Sequence, residues 1–324
     1  MIYMPIYPIT FSIPENKIIT SLPEKKRIIS ALVPGHLKTY IYKTEDEYYT
    51  QYKESMFAIT VKKGGWDCMR HYEILACGTL PVFPDIEYCP PDTMALYPKH
   101  LLQECYELYE EIKQYDINII PSHILNKYNI MQNKLLNHLR THLTTKAMAQ
   151  YILSKINKPV NSILYLSGRT DPDYLRCLML VGFKEILGTK CYDYPKIPHI
   201  YNDQSIDNNT LYGKGISYAK NIDISQHENL CEENMIENIK NRKYDIIIYG
   251  SYHRGMPYYE YVCEYYKPNE IVMICGEDLN NPHIPTKECN TTCCHRGCND
   301  TSIKCYNSHK IYSDMGHIVF VREL

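Results

Sequence analysis

Lys62, Lys63, Gly64, Gly65, Arg70, His71 and Glu73 crowd into twelve consecutive residues. The surrounding pattern predicts a strand over 57–61, a glycine turn, a short helix over 67–77 stopped by Gly78, and a strand over 80–83. A helix N-terminus approached through glycines binds anions, because its first N–H groups are unpaired and its dipole favours negative charge. The two lysines and Arg70 add full charges and, for arginine, a planar donor fork. The chemistry expected is the holding of a phosphate or diphosphate by Lys62, Lys63, Arg70 and the Gly64–Gly65 amides. Glu73 lies one helical turn after Arg70, so it either pairs with Arg70 or accepts a bidentate pair of hydrogen bonds from ribose hydroxyls. His71 is a weaker contact candidate for phosphate or sugar. Trp66, the single tryptophan, stacks on a base or sits in the core.

A second set of titratable residues follows expected strand ends in the other half of the chain. Asp171 and Asp173 follow a strand over 162–166, His253 and Arg254 follow one over 244–249, and Glu277 and Asp278 follow one over 270–275. Ligands of parallel sheets bind just past strand carboxyl ends. Asp171, Asp173, His253 and Glu277 are therefore the candidates for acid–base work. Asp171 also suits the N-cap of a helix over 172–187, with Pro172 in its first turn. Cys289, Cys293, Cys294 and Cys298, with Cys305, His295 and His309, form a third cluster, in a polar insertion over 276–316. Thiolates and imidazoles at short spacing suit a structural zinc, although paired Cys-x-x-Cys knuckles are missing; a reduced-thiol loop is the other reading.

The elements that carry these residues alternate. Strands are predicted over 28–33, 57–61 and 80–83, then 162–166, 244–249, 270–275 and 317–321. Helices are predicted over 45–54, 67–77, 99–115, 131–156, 172–187, 231–241 and 257–265. Apolar strands alternating with helices imply α/β architecture, with parallel sheets covered on both faces. The polar stretch 157–161 divides the chain into residues 1–157, ending in a helix, and 158–324. We read two Rossmann-like domains facing each other.

Composition narrows the partners. At 324 residues with a net charge of −2, the chain is long enough for two domains and has no charge excess suited to nucleic acid. No apolar run reaches membrane-spanning length. The proline-broken N-terminus lacks the basic start of a signal peptide, so the 14 cysteines are read as reduced and the protein as cytoplasmic. Gly213-Lys214-Gly215 is too short for a dinucleotide fingerprint and there is no Walker A motif, which argues against NAD and ATP.

The segment Gly64-Gly-Trp-Asp-Cys-Met-Arg-His-Tyr-Glu-Ile-Leu-Ala-Cys-Gly-Thr-Leu-Pro-Val-Phe83 resembles the donor-binding domain of exostosin-like glycosyltransferases, which have the two-Rossmann GT-B architecture. That family has a comparable helix with Arg and Glu three residues apart, a small-residue stop and a Pro-Val strand. The likeness extends to Gly65, Arg70, Glu73 and Pro81, and implies that this helix contacts a nucleotide-sugar donor. GT-B enzymes generally neutralise the leaving diphosphate with a helix dipole and basic side chains, so no catalytic metal is expected. The Tyr7-Pro-Ile and Thr144-Thr-Lys-Ala stretches resemble relatives from large DNA viruses, whose host cytoplasm would then be the location. Tyr174-Leu-Arg, Cys275-Gly-Glu-Asp278 and Phe320-Val-Arg-Glu-Leu324 are similar to the other domain of that group, where it is expected to come first. The reversed order implies a circular permutation or a cut from a larger tandem protein.

The resemblance thus implies transfer of a sugar from a nucleotide-sugar to a glycan or glycosylated acceptor. A non-catalytic sugar- or protein-binding relic, or another nucleotide-dependent enzyme, is compatible with the same frame.

Overall fold

A computed structural model describes residues 5–203, 205–278, 286–287, 304–305 and 308–324. Its strands are β1 Ile6–Pro8, β2 Arg27–Ile29, β3 Ser55–Ile59, β4 Leu80–Val82, β5 Ile163–Leu166, β6 Cys191–Tyr194, β7 Ile246–Tyr249, β8 Ile271–Cys275, β9 Thr286–Lys287, β10 Lys304–Cys305 and β11 Ile318–Val321. Its α-helices are α1 Glu45–Lys53, α2 Met69–Ala76, α3 Lys99–Ile112, α4 Ser122–His142, α5 Thr145–Ser154, α6 Tyr174–Leu187, α7 Glu232–Lys240, α8 Tyr259–Tyr265 and α9 Ser308–Asp314.

The architecture is α/β, with parallel sheets. Strands β2, β3 and β4 form a three-stranded sheet, and a six-stranded sheet runs β1-β11-β8-β7-β5-β6, every pair parallel. From β5 the chain passes to β6 on one side and then to β7 on the other. The strand order therefore reverses between β5 and β7, and this is where a crevice opens at the carboxyl edge of such a sheet. The central strands are apolar and buried along their whole length, as Ile246–Tyr249 and Ile271–Cys275 illustrate.

Three local expectations change. The single helix expected over 131–156 breaks at Leu143, because Thr144 accepts from Ala147 N (3.1 Å) and caps a new helix, α5. Helix α6 is capped not by Asp171 but by Asp173, whose Oδ1 accepts from Arg176 N (3.0 Å). Strand β6 was not expected. Its alternation of buried and half-buried residues around Asp193 is short and polar, and Pro195 follows it.

The expected division at 157 is also not a division of the packing. β1 extends the six-stranded sheet, and Ile9 N bonds Val321 O (3.0 Å). Helix α5 lies against α6, where Gly182 lets the Thr145 carbonyl approach closely enough that a Cβ would sit 2.1 Å from it. The buried faces of α5 and α6 belong to one hydrophobic core with those of α2, α3 and α4. The periodicity of 145–154 marks a buried face without saying against which sheet. Within 276–316, Gly276 to Asp278 border a cleft and α9 packs on the sheet through buried Tyr312.

No helix among the described residues is long and apolar enough to cross a membrane.

Candidate functional site

Between the two sheets lies a cleft of about 830 Å³. Lys63, Gly64, Gly65, Arg70 and Glu73 line one wall, and Asp171, Asp173, Arg254, Glu277, Asp278 and Arg322 line the other. Loops that follow the carboxyl ends of β5, β7, β8 and β11 supply the second set, and the loop after β3 leads into the first. Tyr40, Tyr42, Tyr48, Tyr174 and Tyr212 also line it.

The first wall is built on α2, all eight residues of which are buried. Polar side chains in such a helix need internal partners. Arg70 donates from Nε to Thr60 Oγ1 (3.1 Å) and from Nη2 to the Val61 carbonyl (3.0 Å). Thr60 Oγ1 also meets His71 Nδ1 (2.7 Å), and His71 Nε2 meets the Trp66 carbonyl (2.8 Å). A carbonyl only accepts, so Nε2 carries the proton, and Nδ1 accepts from the Thr60 hydroxyl. Burial lowers the His71 pKa to about 3, so the ring is neutral. His71 is thus a buried post that orients Arg70 through Thr60, not a phosphate or sugar contact.

Arg70 and Glu73 do not pair. Glu73 Oε2 accepts from Tyr48 OH (2.5 Å) and Oε1 from Ser217 Oγ (2.5 Å), so its carboxylate reaches across to the other half of the chain. Burial raises its pKa, against these hydrogen bonds and Arg70. Lys63 lines the cleft, and burial and Arg70 lower its pKa. Lys62 does not line it; its ammonium lies 4.9 Å from the Trp66 ring, and that ring is in the core. No side chain caps α2: the cap residue Cys68 donates instead to the Gly65 carbonyl (3.7 Å). Its N-terminal dipole faces the cleft beside Lys63 and Arg70.

Gly65 has a second reason to be glycine. A Cβ there would stand 2.5 Å from Glu323 Oε1 and 2.8 Å from Asp278 Oδ1, so the turn is pressed against the other half. Asp67 N donates to Glu323 Oε1 (2.9 Å), Arg322 Nη1 donates to the Asp67 carbonyl (2.7 Å) and to Glu323 Oε1 (3.0 Å), and Arg322 also pairs with Asp278. Asp67 accepts from Phe11 N (2.8 Å) and Tyr72 OH (2.7 Å). This latch was not apparent from sequence. Arg322 and Glu323 follow a strand end, the same signal that singled out Glu277.

The second wall consists of ion pairs. Arg254 reaches Asp171 (2.8 Å) and Asp173 (2.7 Å), and Ser251 Oγ donates to Asp173 Oδ2 (2.8 Å). With Arg254, Arg176 and a capping amide around it, the Asp173 carboxyl is held well below the usual carboxylate range despite its burial. Asp173 is therefore a structural anchor and a poor base. His253 Nε2 lies 3.0 Å from Glu277 Oε1. Burial works against a charge on His253, but the neighbouring Cys275 and Glu277 outweigh it and raise its pKa to about 10. His253 does not line the cleft itself; it stands behind Glu277, which does.

Among the described residues no group of three or more His, Cys, Asp or Glu is placed to hold a metal. Cys289, Cys293, Cys294 and Cys298 lie outside the described residues. No protein-family model, no curated protein and no solved structure matches the chain.

Proposed function

We propose that the cleft binds a nucleotide-sugar, and that the protein is a glycosyltransferase passing the sugar to a glycan or glycosylated acceptor between two facing Rossmann-like lobes. One observation carries this reading. A fixed cationic wall at an uncapped helix N-terminus and a carboxylate wall at the switch point of a parallel sheet share one cavity.

In this reading Lys63, Arg70 and the amides at the start of α2 neutralise the departing diphosphate. The bond between the anomeric carbon and the diphosphate oxygen breaks, its electron pair leaving with the nucleotide. The acceptor hydroxyl oxygen bonds to that carbon, and its proton passes to Glu277, which His253 holds in place. A ribose hydroxyl reaching Glu73 would replace the Tyr48 or Ser217 hydroxyl now bound there. That Glu73 and Asp173 are spent on protein partners favours a second reading, a sugar-binding relic without turnover.

A thermal-shift panel of UDP-, GDP-, CMP- and TDP-sugars tests the first step, since a ligand that binds only the folded chain stabilises it by an amount that grows with the logarithm of its concentration over Kd. One class should raise Tm, and Lys63→Ala and Arg70→Gln should shrink that rise. No shift with any of the four, or a shift indifferent to both variants, removes the proposal. If a donor binds, release of its nucleotide (the nucleoside diphosphate, or CMP from a CMP-sugar) that Glu277→Gln abolishes separates the enzyme from the relic.

A further inference from the structure

The switch point holds an arginine that neither wall accounts for. Arg176, in the first turn of α6, is fully buried. Its Nη2 donates to the Asp171 carbonyl, while Nε and Nη1 are buried and find no acceptor. The nearest carboxylate oxygen forming an ion pair with it is Asp171 Oδ1, at 3.9 Å. Burying a guanidinium with two unanswered donors is among the least favourable arrangements in a protein interior. A hydroxyl nearby is in the same condition, and a second guanidinium is ion-paired but poorly aligned. Ser167 Oγ, just past β5, is buried without a partner. Arg254 Nε lies 2.7 Å from Asp173 Oδ2 but makes no aligned hydrogen bond.

These unanswered donors gather where the loops after β5 and β7 touch. A Cβ on Gly168 would stand 2.5 Å from the Arg254 carbonyl, so only a glycine lets the two loops meet. Two arginines here face two carboxylates, Asp171 and Asp173. Asp173 is committed to capping α6 and to Ser251. Asp171 is not: its side chain is 44 % exposed, and it borders the cleft.

We propose that Arg176 and Arg254 form a subsite for an anionic group carried by the acceptor, a carboxylate or a phosphate, and that the Asp171 side chain occupies this subsite until the acceptor displaces it. The proposal rests on the reading above, in which the opposite wall already holds the diphosphate of the donor, so an anion here belongs to the other substrate. With Asp171 displaced, two cations face one carboxylate, and an incoming oxyanion takes the place of the Asp171 carboxylate, which now lies 2.8 Å from Arg254 Nη1 and 3.9 Å from Arg176 Nη2.

The test titrates inorganic phosphate into the full chain, read by calorimetry and thermal shift, in wild type, Asp171→Asn, Arg70→Gln/Asp171→Asn and Asp171→Asn/Arg254→Gln. Removing the occupying carboxylate should tighten phosphate binding about tenfold in Asp171→Asn. The gain should persist with Arg70→Gln and vanish with Arg254→Gln; both arginine-to-glutamine changes leave Arg176 untouched, and circular dichroism checks the fold. No gain in Asp171→Asn, or a gain that Arg70→Gln abolishes, overturns the subsite. A nucleotide-sugar shift lost in Arg254→Gln but kept in Arg70→Gln would put the donor's own phosphate here and overturn the acceptor assignment. Because phosphate is the probe, the subsite stands or falls even if no nucleotide-sugar binds.

Discussion

The two walls of the cleft hold their charges in opposite ways. On the α2 wall Arg70 and Glu73 are fixed by neutral partners: Arg70 by a hydroxyl and a carbonyl, Glu73 by two hydroxyls. On the switch-point wall charges are fixed by each other, Arg254 by Asp171 and Asp173, His253 by Glu277. A charge held by neutral dipoles keeps its field for a ligand, whereas a charge held by its opposite must be released first. The first wall presents a fixed field that an anion meets without displacing a partner. The second suits partners that come and go.

The sharpest way to break this comparison is at the latch that sets the walls apart. Arg322 is buried, stacks at 4.5 Å over Phe11, and ties Asp67, Asp278 and Glu323 together. Arg322→Met should cost about 3–5 kcal/mol in urea denaturation, because it leaves buried carboxylates uncompensated. A loss below about 1 kcal/mol would mean that the two halves are held by the α5–α6 core alone.

The latch also gives the protein a pH dependence. Burial raises the Asp67 pKa from 3.8 to about 7, against Arg322 and the bonds from Phe11 and Tyr72. A carboxyl whose folded pKa lies above its unfolded value favours the fold in its protonated form. Its contribution is complete below about pH 4 and disappears as pH rises through 7, a change of up to about 4 kcal/mol by linkage. Relative to Asp67→Asn, the wild type should lose stability between pH 4 and pH 7. Parallel denaturation profiles for the two proteins over that range would show that Asp67 stays ionised.

Much of the first wall was legible because its signals are local. Glycines, a short helix and a glycine stop in one stretch place Lys63, Gly64, Gly65, Arg70 and Glu73 on one surface, and all five line the cleft. What escaped was the partner of each. Nothing in the spacing says that Glu73 finds Ser217, 144 residues away, or that His71 turns inward to Thr60. Lys62 and Lys63 look alike in sequence, but in the loop after β3 only Lys63 borders the cleft, while the Lys62 ammonium lies against the Trp66 ring. On the second wall the strand-end rule points to loops that line the cleft, yet the choice between Asp171 and Asp173 as cap rests on one turn of chain geometry. Arg176 was passed over because, mid-pattern in an apolar helix, nothing marks an arginine as buried. The helix over 145–154 packs on α6 across the expected division at 157, because burial patterns report that a face is covered, not by which element.

Two smaller substitutions compare the walls directly. Thr60→Val keeps the shape of the side chain and removes its hydroxyl, leaving Arg70 Nε and His71 Nδ1 without their shared partner. It should lower stability by about 2 kcal/mol and weaken the thermal shift given by a nucleotide-sugar, because Arg70 is no longer fixed. Asp171→Asn removes one member of a partly exposed ion pair and should cost less than about 1 kcal/mol. The ratio of the two is the informative quantity. If Asp171→Asn is the more damaging, its pair with Arg254 is structural, and the switch-point wall is as rigid as the wall it faces. If Thr60→Val is the more damaging while Asp171→Asn leaves Tm nearly unchanged, the fixed charges lie on one side and the exchangeable ones on the other, as the hydrogen bonds around each imply.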